Sequence, residues 1–259
     1  MEIYKDLKDK RVVITGGASG IGLSTAKCFC NEEANVVILD WNQEVLKKTL
    51  ADNPELKGGV CADVSNPNDI AIAFKKVDEI VGGVDILISN AGISVRKPFL
   101  EIEYEEWSKV IRVNLDGMFL CAKEAIKRMK KQRSGVVLFT ASTNGIEGHP
   151  LYADYNASKA GVIVLAKTIA LEFAPWLRVN AICPGYVLTP MQKAEYTSEM
   201  LKEVNAGIPL NRHAKPEEVA DLFVFLASSK ASYITGQSIA IDGGETAGQY
   251  IKDIDKKGV

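Results

Sequence analysis

Arg11-Val12-Val13-Ile14-Thr15 runs directly into Gly16-Gly17-Ala18-Ser19-Gly20-Ile21-Gly22, and a helical pattern follows. A short apolar run that ends in glycines and then a helix is where a doubly wound α/β sheet holds a dinucleotide pyrophosphate. Glycines let the backbone approach the phosphates, and a helix N-terminus offers free N–H groups and the positive end of its dipole. The spacing Gly16-x3-Gly20-x-Gly22 differs from the G-x-G-x-x-G fingerprint, so the cluster alone also admits a flexible turn.

Further short apolar runs lie at 35–40, 59–62, 85–89, 135–140, 178–182 and 238–241, each bounded by Gly, Asn, Asp or Ser. Their length and continuity suit strands buried on both faces. Helical patterns alternate with them at 21–32, 43–52, 66–81, 103–132, 155–173 and 216–228, the one at 103–132 beginning as two pieces. Ser65 or Asn66 caps the third helix, and Pro67 suits its first position. This alternation predicts a parallel sheet of about seven strands with helices on both faces, a Rossmann-type doubly wound α/β fold. Apolar patterning runs nearly to the end without a linker-like shift, so residues 1–259 read as one domain with a charged, loose tail at 251–259.

The chain has 259 residues, 47% hydrophobic and 25% charged, and a formal net charge of −2 at pH 7. These proportions match an ordinary globular protein and exclude disordered, collagen-like and fibrous classes. Lys and Arg number 31 against 33 Asp and Glu, which leaves no electrostatic footprint for nucleic acid. The basic run at 127–133 falls at a helix end, where cations complement the dipole. No apolar stretch is long enough to cross a membrane, and the polar N-terminus is unlike a signal peptide. Five cysteines without an export signal read as reduced thiols of a cytoplasmic protein, packed as small hydrophobes. His149 and His213 are far apart in the chain, and Cys28-x-Cys30 diverges on a helix, so no metal site is expected.

Asp40 ends the second run, eighteen residues after Gly22. A carboxylate there can accept from both adenosine ribose hydroxyls and repels the additional phosphate of NADP. Trp41, Asn42 and the stretch Gly17 to Ser19 offer no cation to that phosphate, so the reading is NAD. Asp63-Val64 after the third run and Asn90-Ala91-Gly92 after the fourth fit the adenine and ribose of the same ligand, though each is also ordinary turn chemistry.

Tyr155 and Lys159 are spaced i, i+4 on one helix face. A neighbouring ammonium stabilises a phenolate, and such a tyrosine can take a proton from an alcohol or return it to a ketone. Ser142, at the end of the fifth run, can hold the reacting oxygen beside it.

Together these motifs resemble the classical short-chain dehydrogenase/reductase family over about residues 8–244: Thr15-Gly16-x3-Gly20-x-Gly22, Asn90-Ala91-Gly92, Asn114, Ser142, Tyr155-x-x-x-Lys159 and Pro184-Gly185. The resemblance implies Tyr155 as general acid/base, Ser142 orienting the substrate, and Lys159 binding the nicotinamide ribose and lowering the tyrosine pKa. It implies Asn114 holding a water in a relay to Lys159. Gly16, Ser19, Gly20, Ile21 and Gly22 would cradle the pyrophosphate, and Pro184, Gly185, Val187 and Thr189 would contact the nicotinamide end. Members are commonly homotetramers. Ser89-Asn90 stands where many members carry two asparagines.

The substrate would be met by the segments that vary in the family. The first holds Ser94 and Arg96, the second Asn144, Glu147, His149 and Tyr152, the third Tyr186, Met191, Gln192 and Tyr196. Arg96 could bind a carboxylate or phosphate, or be a solvated loop residue. The polarity favours a small polyol, sugar or hydroxy acid over a long acyl chain. The expected activity is hydride transfer between NAD and a secondary alcohol or ketone. The alternatives are a 3-oxoacyl-thioester reductase and a catalytically silent NAD(H)-binding sensor.

Overall fold

Branched apolar residues fill seven short parallel strands: β1 (Arg11–Thr15), β2 (Asn35–Asp40), β3 (Gly58–Cys61), β4 (Ile86–Ser89), β5 (Gly135–Thr140), β6 (Leu177–Pro184) and β7 (Ser238–Ile241). They form one sheet in the order β3-β2-β1-β4-β5-β6-β7. The computed structural model describes residues 4–250, so the tail at 251–259 lies outside the described residues.

Side chains alternate across each strand and feed two separate cores. Val13, Val37, Leu39, Leu87, Val137 and Phe139 point to one face. There they meet α3 (Pro67–Val81), α5 (Gly117–Gln132) and α6 (Ala153–Phe173) through Phe74, Met118 and Val162. Val12, Ile14, Val36, Ile38, Ile86 and Ile88 point to the other. That face is covered by α1 (Gly20–Asn31), α2 (Gln43–Asp52) and α9 (Pro216–Ala227) through Phe29, Leu46 and Phe223. Burial on both faces is why the strands read as continuous apolar runs.

β1 pairs with β2 on one side and β4 on the other, both parallel. The chain direction of crossover reverses there, and in such a sheet the ligand crevice opens beyond the carboxyl ends of the strands at that point.

Several boundaries differ from the sequence reading. The helical pattern at 103–132 is three pieces: α4 (Tyr104–Ile111), a π-helical turn (Arg112–Asp116) and α5. The Glu106 carboxylate accepts from the Glu103 backbone N–H at the start of α4. Asn66, not Ser65, caps α3, accepting from the backbone of Asn68 and Asp69. Two helices escape the sequence reading: α7 (Pro190–Glu195) and α8 (Ser198–Gly207), capped by Thr189 and Thr197. Neither buries a residue: α7 is short, and the side of α8 that carries Met200, Leu201 and Val204 stays half-exposed. The cysteines also divide: Cys121 and Cys183 are buried as small hydrophobes, but Cys61 is exposed. In the basic run, Arg128 pairs with Asp78 and Glu124, and Lys127 with Glu124.

Arg178 on β6 ties the sheet to the end of α9. Its Nη2 donates to the carbonyls of Leu226, Ala227 and Ser228, and its Nη1 to Ile234. The first of these carbonyls belong to the helix end, where they have no partner of their own in the helix. Arg178→Ala should therefore cost about 2–3 kcal/mol, from lost charge-assisted bonds and stranded acceptors. For a domain of this size that is a melting temperature lower by roughly 4–12 °C. A thermal melt that moves by less than about a degree would refute the role.

Candidate active site

A cleft of about 490 Å³ opens over the carboxyl ends of β1, β2 and β4. Gly16, Ser19, Gly20 and Ile21 form one wall. Gly16 has φ +61°, and a Cβ there would lie 3.0 Å from Ala91 Cα. Gly22 is packed closer still, since its Cβ would fall 2.1 Å from the carbonyl oxygen of Gly16. Ser19 caps α1 without a side-chain hydrogen bond, so the N-terminal turn of α1 faces the cleft with its backbone donors. This is a cradle for an anion, and it fits a dinucleotide pyrophosphate.

The turn is held from outside. Thr15 Oγ1 accepts from the backbone N–H groups of both Asn90 and Ala91. The Asn90 amide donates to the carbonyls of Thr15 and Gly16, and its Oδ1 accepts from Thr140 Oγ1. Asn90 thus joins β1, β4 and β5 as well as lining the cleft.

Asp40 lines the cleft next to the exposed Trp41. Its Oδ2 accepts from the Ala18 N–H at 3.2 Å and its Oδ1 from the Asn42 N–H at 3.1 Å. Asn42 caps α2, accepting from the backbone N–H groups of Glu44 and Val45. With the cap supplied elsewhere, the carboxylate is positioned toward the cleft. Asp63, Val64 and Gly92 line the same cleft, as do Lys109 and Val113 from α4 and the π-helical turn.

Ser142 follows β5, and Tyr155 and Lys159 lie one turn apart on α6. Lys159 Nζ is buried, donates to the Thr140 carbonyl at 2.7 Å, and stands 5.5 Å from the Tyr155 ring centroid. Burial pushes its ammonium down to about 8. Burial pushes the Tyr155 phenol up to about 12, against a lowering hydrogen bond with Ser142. In the free protein the phenol is therefore neutral, while the ammonium still holds its proton near pH 7, less firmly than an exposed lysine would. A π-helical turn carries Asn114, fully buried. Its Oδ1 accepts from the Ile93 N–H, and its amide donates to the Ile93 carbonyl and Ser158 Oγ. A Cβ on Gly92 would come within 3.3 Å of Asn114 Oδ1 and 3.5 Å of Lys159 Nζ, so a side chain there would press on both polar groups.

A smaller pocket of about 80 Å³ lies on the other side of Tyr155. Ser142, Asn144, His149, Tyr152, Tyr186 and Met191 line it, joined by Ser94, Gln192, Glu195 and Tyr196. Tyr155 and Met191 belong to both cavities. Gly185 reaches this pocket and Thr189 the larger cleft. Five residues expected to contact ligand line neither cavity, Gly22 among them, packed against the Gly16 carbonyl. Arg96 is exposed, with its guanidinium over the Tyr196 ring at 5.7 Å. Glu147 is exposed just beyond a short turn. Pro184 is buried at the end of β6, and Val187 packs into the core behind the cleft. Sequence reasoning misses Glu195 and Glu245. Glu245 sits beside Thr143 Oγ1, and burial and Asp242 push its carboxyl up to about 7. No sequence signal marks either: each joins the site only through the fold.

A family model described as enoyl-(acyl carrier protein) reductase matches residues 16–246. The chain is 42% identical to the 3-oxoacyl-(acyl-carrier-protein) reductase FabG of Thermotoga maritima, over 92% of this chain and 98% of that one. The chain is a short-chain dehydrogenase/reductase. Other members of the family stand close to it. The 3beta-hydroxysteroid dehydrogenase 1 of Eggerthella lenta is 39% identical, covering 94% of this chain and 96% of its own. The meso-2,3-butanediol dehydrogenase of Serratia marcescens is 37% identical, covering 92% and 95%. A crystal structure of a variant of actinorhodin polyketide ketoreductase with NADPH superposes with a TM-score of 0.89 at 32% identity, covering 92% and 97%. The short-chain dehydrogenase/reductase family accounts for the seven-stranded parallel sheet, the nicotinamide cofactor class and the oxidoreductase activity.

Proposed function

We propose that this chain is an NAD-dependent dehydrogenase or ketoreductase acting on a small, polar secondary alcohol or its ketone. One observation carries the reading: Tyr155 forms the shared wall of the large cleft and the small pocket, with Lys159 lining the first and Ser142 the second. A nicotinamide cofactor, when bound, supplies the hydride acceptor or donor. The chain's own residues do the rest. Ser142 Oγ holds the substrate oxygen, and Tyr155 Oη takes the hydroxyl proton as the alcohol becomes a ketone, or returns it in reverse. Lys159, beside the ring, favours the phenolate when it carries its proton. Gly16, Ser19, Gly20 and Ile21 would hold the pyrophosphate, and Asp40 the adenosine ribose.

Asp40 is the basis for NAD over NADP. Its carboxylate would face the additional phosphate, and like charges in a cleft cost several kcal/mol. Asp40→Ser should lower the ratio of kcat/KM for NAD to that for NADP by about 100-fold. A parent protein that already works better with NADP would overturn the reading. The relative from Thermotoga maritima supports a second reading, reduction of a 3-oxoacyl thioester. NADH absorbance on mixing with NAD or NADP and a panel of polyols, hydroxy acids and hydroxyacyl thioesters separates the two. Turnover confined to NADP and the thioester would replace the first reading with the second.

A further inference from the structure

Among the described residues, three buried side-chain nitrogens have no hydrogen-bond partner: His149 Nε2, Gln192 Nε2 and His213 Nε2. Folded chains leave few such groups unsatisfied, and each asks for an explanation. Two of the three, on His149 and Gln192, belong to side chains that line the small pocket beside Ser142 and Tyr155. They reach it from unrelated segments, one before α6 and one in α7. His149 Nε2 has a carboxylate oxygen of Glu245 at 3.9 Å, beyond hydrogen-bond reach.

The position of Gln192 is fixed by its backbone. Its N–H donates to Thr189 Oγ1, the cap of α7, and its carbonyl accepts from Tyr196. The charge around the pocket is equally specific. Glu195 accepts from Tyr152 Oη at 3.2 Å, and Tyr152 Oη lies 3.0 Å from Tyr196 Oη. Among the described residues, no lysine or arginine lines the pocket. A carboxylate or phosphate substrate would meet Glu195 in the pocket wall, with Arg96 over the Tyr196 ring rather than in the lining, which selects against anions. A neutral molecule with a second oxygen beside the reacting carbon meets an amide and an imidazole awaiting a partner.

From this we infer that the substrate is a neutral vicinal diol or its α-hydroxyketone, and that Gln192 is the specificity-determining residue for its second oxygen. The inference rests on the proposed dehydrogenase activity and narrows it. The pocket's small volume, about 80 Å³, favours a short molecule. An anionic hydroxy acid, one of the classes expected from the sequence, is disfavoured.

The test uses three probes with NAD: meso-2,3-butanediol, 2-butanol and lactate. The parent protein should turn over the diol with a kcat/KM at least about tenfold above 2-butanol, the effect of one hydrogen bond. Lactate should be the poorest. Gln192→Met keeps the length of the side chain and removes the amide. It should lower kcat/KM on the diol about tenfold more than on 2-butanol, and leave NADH affinity and melting temperature unchanged. Equal losses on diol and 2-butanol, or a diol no better than 2-butanol in the parent protein, would overturn the role of Gln192. A parent protein that prefers lactate would overturn the substrate class. A parent protein silent on every alcohol and thioester with both NAD and NADP would instead refute the dehydrogenase reading itself.

Discussion

Tyr155→Phe should lower kcat by about a thousandfold, with NADH affinity unchanged within about twofold. Phenylalanine keeps the ring. The tilted contact with Tyr152, at 6.2 Å between centroids, and the approach of Lys159 at 5.5 Å both survive. Only Oη is lost, and with it the one group positioned to exchange a proton with an oxygen held by Ser142. Fluorescence titration with NADH separates binding from chemistry, and NADH absorbance gives the rate. A variant that kept about a tenth of the parent's kcat would move the acid/base role away from Tyr155. The free protein has its phenol raised to about 12 and its lysine lowered to about 8, which makes the comparison sharper. A neutral phenol beside a weakened cation is a poor base, so the active pair has to be completed by what occupies the large cleft.

Gly22→Ala should be the most damaging single methyl in the protein. The added Cβ would sit 2.1 Å from the Gly16 carbonyl oxygen and 2.8 Å from Asn90 Nδ2. The first is backbone and is held by the bonds that Asn90 makes to Thr15 and Gly16. The turn and α1 must separate, and overpacking of this kind costs about 1–3 kcal/mol or more. NADH affinity should fall by at least about 100-fold, because the cradle's donors no longer converge. A matched control is Gly82→Ala, where φ is +77° and nothing lies within 4 Å. That variant carries only the backbone strain of about 1–2 kcal/mol and should bind NADH normally. If the two variants bound alike, close packing of the glycine turn would not be what holds the cofactor.

The strands were legible because burial on both faces leaves uninterrupted runs such as Asn35-Val36-Val37-Ile38-Leu39-Asp40. The glycine turn, the Tyr155–Lys159 spacing and Asp40 were legible because each is local chemistry at a fixed offset. What the sequence withheld was of three kinds. The π-helical turn at Arg112–Asp116 has the composition of the helix around it. The helices α7 and α8 have caps but no buried stripe. The polar wall of the small pocket is assembled from distant segments, as in the bond from Tyr152 to Glu195, and no periodicity carries that pairing. The same distance explains Arg96: its loop position suggests an anion partner, but the fold gives it the Tyr196 ring.

No residue of α7 or α8 is packed into either core, which has a consequence for how this enzyme can change. Substitutions that leave the caps at Thr189 and Thr197 in place disturb neither core, so they escape the penalties that police the rest of the chain. That stretch carries Met191, Gln192, Glu195 and Tyr196, four walls of the small pocket. It is a cassette: new side chains can be tried there by drift, or swapped in by design, while the sheet and the dinucleotide cradle stay as they are.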